Sequence, residues 1–159
     1  MESSDVELHT SNFLMNYHLV ILKKPYLDLI LAGEKTIELR LTRAKRPAGR
    51  RVLCEDRLFL KQGGGPVCGL ATVKNVQYYE GLAPERIRQI QRRYNDQIRG
   101  DDAVWESLMD RPSGFLVWLN DVRRIDPIWI AKQDWRAWVP LTREKDFGLL
   151  QGHDLEGYP

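Results

Sequence analysis

Apolar positions along this chain come in short blocks separated by turn residues, a pattern that favours strands over long helices. Leu19-Val20-Ile21-Leu22 is a compact apolar run and reads as a buried strand. Pro25 suits the first position of a helix and Gly33 the left-handed residue after its end. Between them Tyr26, Leu27, Ile30 and Leu31 recur at helical spacing, which predicts a helix over 25–32 of about two turns. Lys35 to Leu41 then alternates: Ile37, Leu39 and Leu41 face a core, and Thr36, Glu38 and Arg40 face the other way. A basic loop with Pro47 and Gly49 follows, then short strands near Val52–Cys54 and Leu58–Lys61. Gly63-Gly64-Gly65-Pro66 makes a turn into a longer strand from Val67 to Tyr78, with a bulge or bend expected at Gly69.

Pro84 opens the clearest helix. Ile87, Ile90, Tyr94 and Ile98 share one face, and Gly100 is expected just past the end. Asp101 or Asp102 can cap a second, short helix through Leu108, which Pro112-Ser113-Gly114 breaks. Phe115 to Val122 alternates as a strand, and Ile128–Ile130 and Trp138–Leu141 add short ones. No repeat and no linker divides the chain. Five or six strands with a few inserted helices, and no regular βαβ alternation, predict an α+β fold built on a small mixed β-barrel. The expected organisation is an N-terminal tail over 1–16, one domain over 17–141 and a C-terminal tail over 142–159.

Composition keeps the chain in the globular class, with 43% hydrophobic and 29% charged residues in 159. No apolar stretch reaches the roughly 18 residues of a membrane span, and the acidic start lacks the order of a secretory signal. A cytoplasmic protein is expected. Cys54 and Cys68 read as reduced, half-buried residues, and His9, His18 and His153 are too scattered to hold a metal, so neither metal nor cofactor is expected. The net charge of +2 is uninformative, but its distribution is not: from Lys35 to Lys61 nine basic residues stand against three acids. A second basic run, Arg86 to Arg99, lies on the helix opened by Pro84 and reads either as a solvated face or as a docking surface.

The chemistry concentrates where the first helix gives way to a strand. Gly33 lets the chain turn sharply, Lys35 emerges at the corner, and Glu38 and Arg40 project from one strand face. Geometry alone leaves two readings. One is an exposed ion pair beside a solubilising lysine, worth at most about 1 kcal/mol. The other is a polar groove.

Gly33-Glu34-Lys35-Thr36-Ile37-Glu38-Leu39-Arg40 satisfies the G-x-K-x-x-E-x-R signature of the ASCH domain, a member of the PUA-like superfamily. Leu19 to Tyr26 resembles that family's first strand and helix start, Gly49-Arg50-Arg51-Val52 its glycine-led second strand, and Val67 to Val73 the strand that follows. The resemblance runs from about 19 to 80, thins over the helical insert and resumes in Gly114 to Trp138. It implies a PUA-like barrel with a helix beside a cleft, and it implies that the motif lines that cleft.

What the resemblance implies about function is recognition of RNA, of a modified nucleoside or, as a further partner, of DNA. Lys24, Tyr26, Gly33, Lys35, Glu38, Arg40, Trp135 and Trp138 are the expected ligand-binding residues. Arg40 suits phosphate or a base edge, Lys35 supplies a point charge, and Glu38 accepts from an exocyclic amine. The aromatic residues offer stacking faces, Trp135 and Trp138 ahead of Trp118 and Trp129 because Lys132 to Arg136 is polar and loop-like. The alternative is a hydrolase acting on modified cytidine or on RNA, with Lys35 and Glu38 as acid and base. The family's amidohydrolase branch, however, has a threonine where this chain has Glu38. A third reading is a protein-interaction module using the outer face of the 84–99 helix.

Overall fold

A computed structural model of the chain describes residues 16–46, 52–131, 136–142 and 144–150. Among these, the strands are β1 (Tyr17–Leu22), β2 (Ile37–Thr42), β3 (Arg57–Gln62), β4 (Val67–Tyr79), β5 (Ser113–Ile128) and β6 (Trp138–Leu141). The helices are α1 (Lys24–Leu31), α2 (Pro84–Ile98) and α3 (Asp102–Leu108). The fold is α+β. All the strands join one six-stranded sheet in the order β2-β5-β4-β3-β1-β6. β1 and β3 run parallel and the other pairs antiparallel, so the sheet is mixed.

Strand alternation sorts the apolar residues into separate layers. Val20, Leu22, Leu58, Leu60 and Val117 enter one cluster together with Leu27 and Ile30 of α1. Their sequence neighbours Leu19 and Phe59 pack on the other face with Val139 and Leu141 of β6. On a third surface α2 and α3 lay Ile87, Ile90, Ile98 and Trp105 over Ile37 and Leu116. Packing continues past the boundary expected at Leu141, because Leu149 is buried in the second cluster with Phe147 and Leu150 beside it. Residues 144–150 are therefore part of the packed body.

The sheet curls far enough for its two ends to meet. Arg40 on end strand β2 donates to the Ile21 carbonyl of β1 and sits 5.6 Å from the ring centre of Trp138 on end strand β6. Phe115 of β5 meets the same indole edge-on at 5.2 Å. The result is a half-barrel with a seam, and Arg40 bridges that seam.

Some local expectations need correction. Val52–Cys54 is a loop, not a strand: the Val52 N–H and C=O are both taken by the Tyr78 hydroxyl, and Leu53 N–H by Asp56, so no ladder forms. Cys54 is exposed there, Cys68 is half-buried in β4, and both thiols are free. Gly100 lies just past the end of α2 as expected, and the left-handed residue there is Arg99 (φ 63°). Gly100 serves space instead, since a Cβ there would lie 2.8 Å from Trp105 Nε1. β5 runs well beyond Val122, pairing with β4 as far as Val67–Ile128 and absorbing part of the expected 128–130 strand.

Candidate functional site

The corner at the end of α1 is built from backbone requirements. Ala32 N–H closes on Asp28, and Gly33 takes φ +79°, the left-handed conformation that a glycine adopts without a Cβ penalty. Glu34 and Lys35 then return their N–H groups to the Leu29 carbonyl. The chain leaves this turn against the C-terminus of α2. Thr36 N–H donates to Gln97 O at 3.0 Å, and Lys35 Nζ donates to Ile98 O at 2.5 Å and to Ile37 O at 2.8 Å. The last carbonyls of a helix lack intrahelical donors and carry its negative dipole end, so an ammonium fits there.

Lys35 is thus no solubilising surface cation. It is 3% exposed, lies 3.6 Å from Glu38 Oε1 and faces the Tyr26 ring at 5.5 Å. Burial pulls its pKa below the ordinary value, and the Glu38 carboxylate pulls in the opposite direction. Burial also raises the Tyr26 phenol, with Asp101 adding to the effect.

Glu38 is buried too, which the alternation of β2 did not foretell. One oxygen accepts from Leu39 N–H at 3.1 Å, and the other accepts from Arg40 Nη2 at 3.1 Å. The same Arg40 nitrogen donates to Ile21 O at 2.9 Å. Arg40 is therefore held on one edge by a carboxylate and a carbonyl and on one face by Trp138. Its other guanidinium nitrogens have no hydrogen-bond partner among the described residues.

Trp138 is itself held. Its indole N–H can only donate, and it donates to His18 Nδ1 at 3.2 Å. His18 therefore carries its proton on Nε2 and donates it to Asp56 Oδ2 at 2.8 Å. Asp56 also accepts from Leu53 N–H and Asn16 N–H. A chain of contacts thus runs from a buried carboxylate through His18 and Trp138 to Arg40.

Two clefts flank Arg40, each of about 470 Å³, within the range of small-ligand sites. The polar cleft is lined by Tyr26, Lys35, Glu38 and Arg40, with Leu39 and the α3 residues Val104, Trp105 and Leu108 as apolar walls. The aromatic cleft is lined by His18, Arg40, Tyr78, Phe115, Arg136 and Trp138 among others.

Of the expected site residues, the structure brings together Tyr26, Lys35, Glu38 and Arg40, with Trp138 across the seam. Gly33 shapes the corner but lines neither cleft. Lys24 lines neither as well; it is exposed and pairs with Asp28 at 2.7 Å. Trp135 lies outside the described residues. Trp118 packs edge-on against Tyr94 of α2 at 5.5 Å, and Trp129, 72% exposed, lines neither cleft. A short helix through Leu108 was expected, but not that it walls the cleft; the expected cap at Asp101 does accept from Val104 N–H. Asn95 then fixes the wall by accepting from Trp105 Nε1 and Gly100 N–H.

The curled mixed sheet, with a helix-to-strand corner beside a cleft, defines a PUA-like half-barrel. The chain carries an ASCH domain: that family's model matches residues 20–97, and over this span the chain belongs to the ASCH family. An ASCH protein from Zymomonas mobilis, known from crystal structures, is 16% identical with a TM-score of 0.65 over 85% of this chain and 94% of that one. A point-substituted form of the same protein gives 18% identity at the same score and coverage. At such identity the likeness speaks for the fold alone. No curated protein matches the chain. Among the described residues, no helix is long and apolar enough to cross a membrane.

Proposed function

We propose that the polar cleft binds a nucleobase, carried by RNA or presented as a modified nucleoside, and that the protein is a recognition module. The observation that carries this reading is the holding of Arg40. A guanidinium fixed by Glu38 and the Ile21 carbonyl, and backed by the Trp138 indole, presents its remaining donors in a set plane. Paired acceptors on a phosphate or a base edge match that plane. Tyr26 and the apolar walls supply surface for a flat ring. Free thiols at Cys54 and Cys68 fit a reducing compartment, and we place the protein in the cytosol.

In this reading Lys35 and Glu38 hold the site and do not perform acid–base chemistry. Lys35 spends its donors on two carbonyls and faces Glu38, and Glu38 accepts from Leu39 and Arg40. A general base needs a lone pair directed at substrate, whereas both groups are already engaged with partners inside the protein. The test is a panel of ribonucleosides, acylated cytidine and short single-stranded RNA and DNA, followed by mass spectrometry for retention and for conversion. Retention without conversion is expected. Conversion of acylated cytidine that disappears in Lys35→Ala would overturn the recognition reading in favour of hydrolysis.

A further inference from the structure

The two clefts are not independent. Arg40, Leu41 and Ala137 line both, so the seam forms one groove with a guanidinium at its midpoint. The aromatic side has its own chemistry. Tyr78, Phe115 and Trp138 are all half-buried and make a continuous ring wall, with centroids 5.5 and 5.2 Å apart. The cations at this wall, Arg40 and Arg136, disfavour a cationic guest and favour a flat one that carries negative charge. The ring at one end of the wall is fixed in advance: the Asp56–His18–Trp138 relay sets the indole, so little ordering of that ring is left for binding to impose.

We propose that the aromatic cleft is a second nucleotide subsite. The seam takes two consecutive nucleotides of a single strand, one base on each side of Arg40, with the connecting phosphodiester on its guanidinium. The proposal rests on the reading of the polar cleft as a base site. It adds the substrate class, a dinucleotide step, and assigns Phe115 and Tyr78 to stacking. Sequence gave no sign of this, since both rings read as ordinary strand residues.

The experiment is calorimetric titration with the four ribonucleosides, their 3′-monophosphates and dinucleoside monophosphates, repeated in the deoxyribose series. Dinucleoside monophosphates are expected to bind at least about tenfold tighter than the matching monophosphate, a typical effect of stacking one further base. Phe115→Leu keeps the apolar volume and removes the ring; it should bring the ratio of dinucleotide to monophosphate affinity within about threefold. As a readout on the unaltered protein, 2-aminopurine at one position of the dinucleotide should lose fluorescence by stacking. A gain in either sugar series supports the two-base site, and the tighter series identifies the strand. If dinucleotides bind no tighter than monophosphates, or if 2-aminopurine stays bright at both positions, the second subsite is wrong and the polar-cleft reading stands. If nothing in the panel binds, both fall.

Discussion

Lys35 shows how one side chain joins the family motif to the rest of the molecule. Its Nζ ties the Ile98 carbonyl at the end of α2 to the Ile37 carbonyl at the start of β2, so replacing it removes the donor from two carbonyls of buried residues. Lys35→Met should cost about 1–3 kcal/mol by chemical denaturation at neutral pH. Its pH dependence has a definite sign. Burial lowers the folded-state pKa beneath the ordinary 10.5, so the unfolded chain binds that proton more tightly. Stability from this group therefore rises as pH climbs through the lowered value towards 10.5. Tyr26 and Tyr79, both raised above 10.0 by burial, act oppositely at higher pH. The informative quantity is therefore the difference between wild type and Lys35→Met, in which the tyrosines largely cancel. That difference should grow in favour of wild type with rising alkaline pH, and a flat difference would contradict the burial of the ammonium.

At the scale of elements, the position of Arg40 depends on how closely β5 approaches β2. Gly114 pairs with Leu41, and a Cβ added there would fall 2.1 Å from the Arg40 carbonyl oxygen and 2.6 Å from the Leu41 Cα. Both are backbone atoms, so the strand itself would have to move. Gly114→Ala should cost about 3 kcal/mol or more in a melting experiment and should weaken ligand binding by displacing Arg40. A variant with wild-type melting and affinity would refute this close packing. Legibility in the sequence divides along the same line. The α1–Gly33–β2 corner was readable because helix spacing, a left-handed glycine and strand alternation all lie within some twenty consecutive residues. The burial of Lys35 was not, because its partner carbonyl at Ile98 lies 63 residues away. The full length of β5 was hidden because its outer half is largely exposed and loses the apolar alternation. The His18–Asp56 pair spans 38 residues, and neither member stood out in its own segment.

Over the whole molecule, the curl of the sheet turns two end strands into the walls of one groove, and the basic run on α2 lines neither of its clefts. Arg88 pairs with Glu106, and Arg86 and Arg93 lie over Tyr79 and Tyr94, which fits a solvated face on α2. The double charge reversal Arg88→Glu/Arg92→Glu should leave dinucleotide affinity within about twofold, and salt titration should give a log–log slope near −0.7 for one phosphate contact. A steep slope that the reversal flattens would move the binding surface to α2. The central claim rests on Arg40. Arg40→Ala removes the hydrogen bond to Ile21 and the contact with Trp138, so a melting decrease of a few degrees is expected. The decisive measurement is titration of the best-binding nucleotide into wild type and Arg40→Ala under conditions where both are folded. The account predicts a loss of roughly 100-fold or more. Affinity unchanged in the folded variant would contradict it.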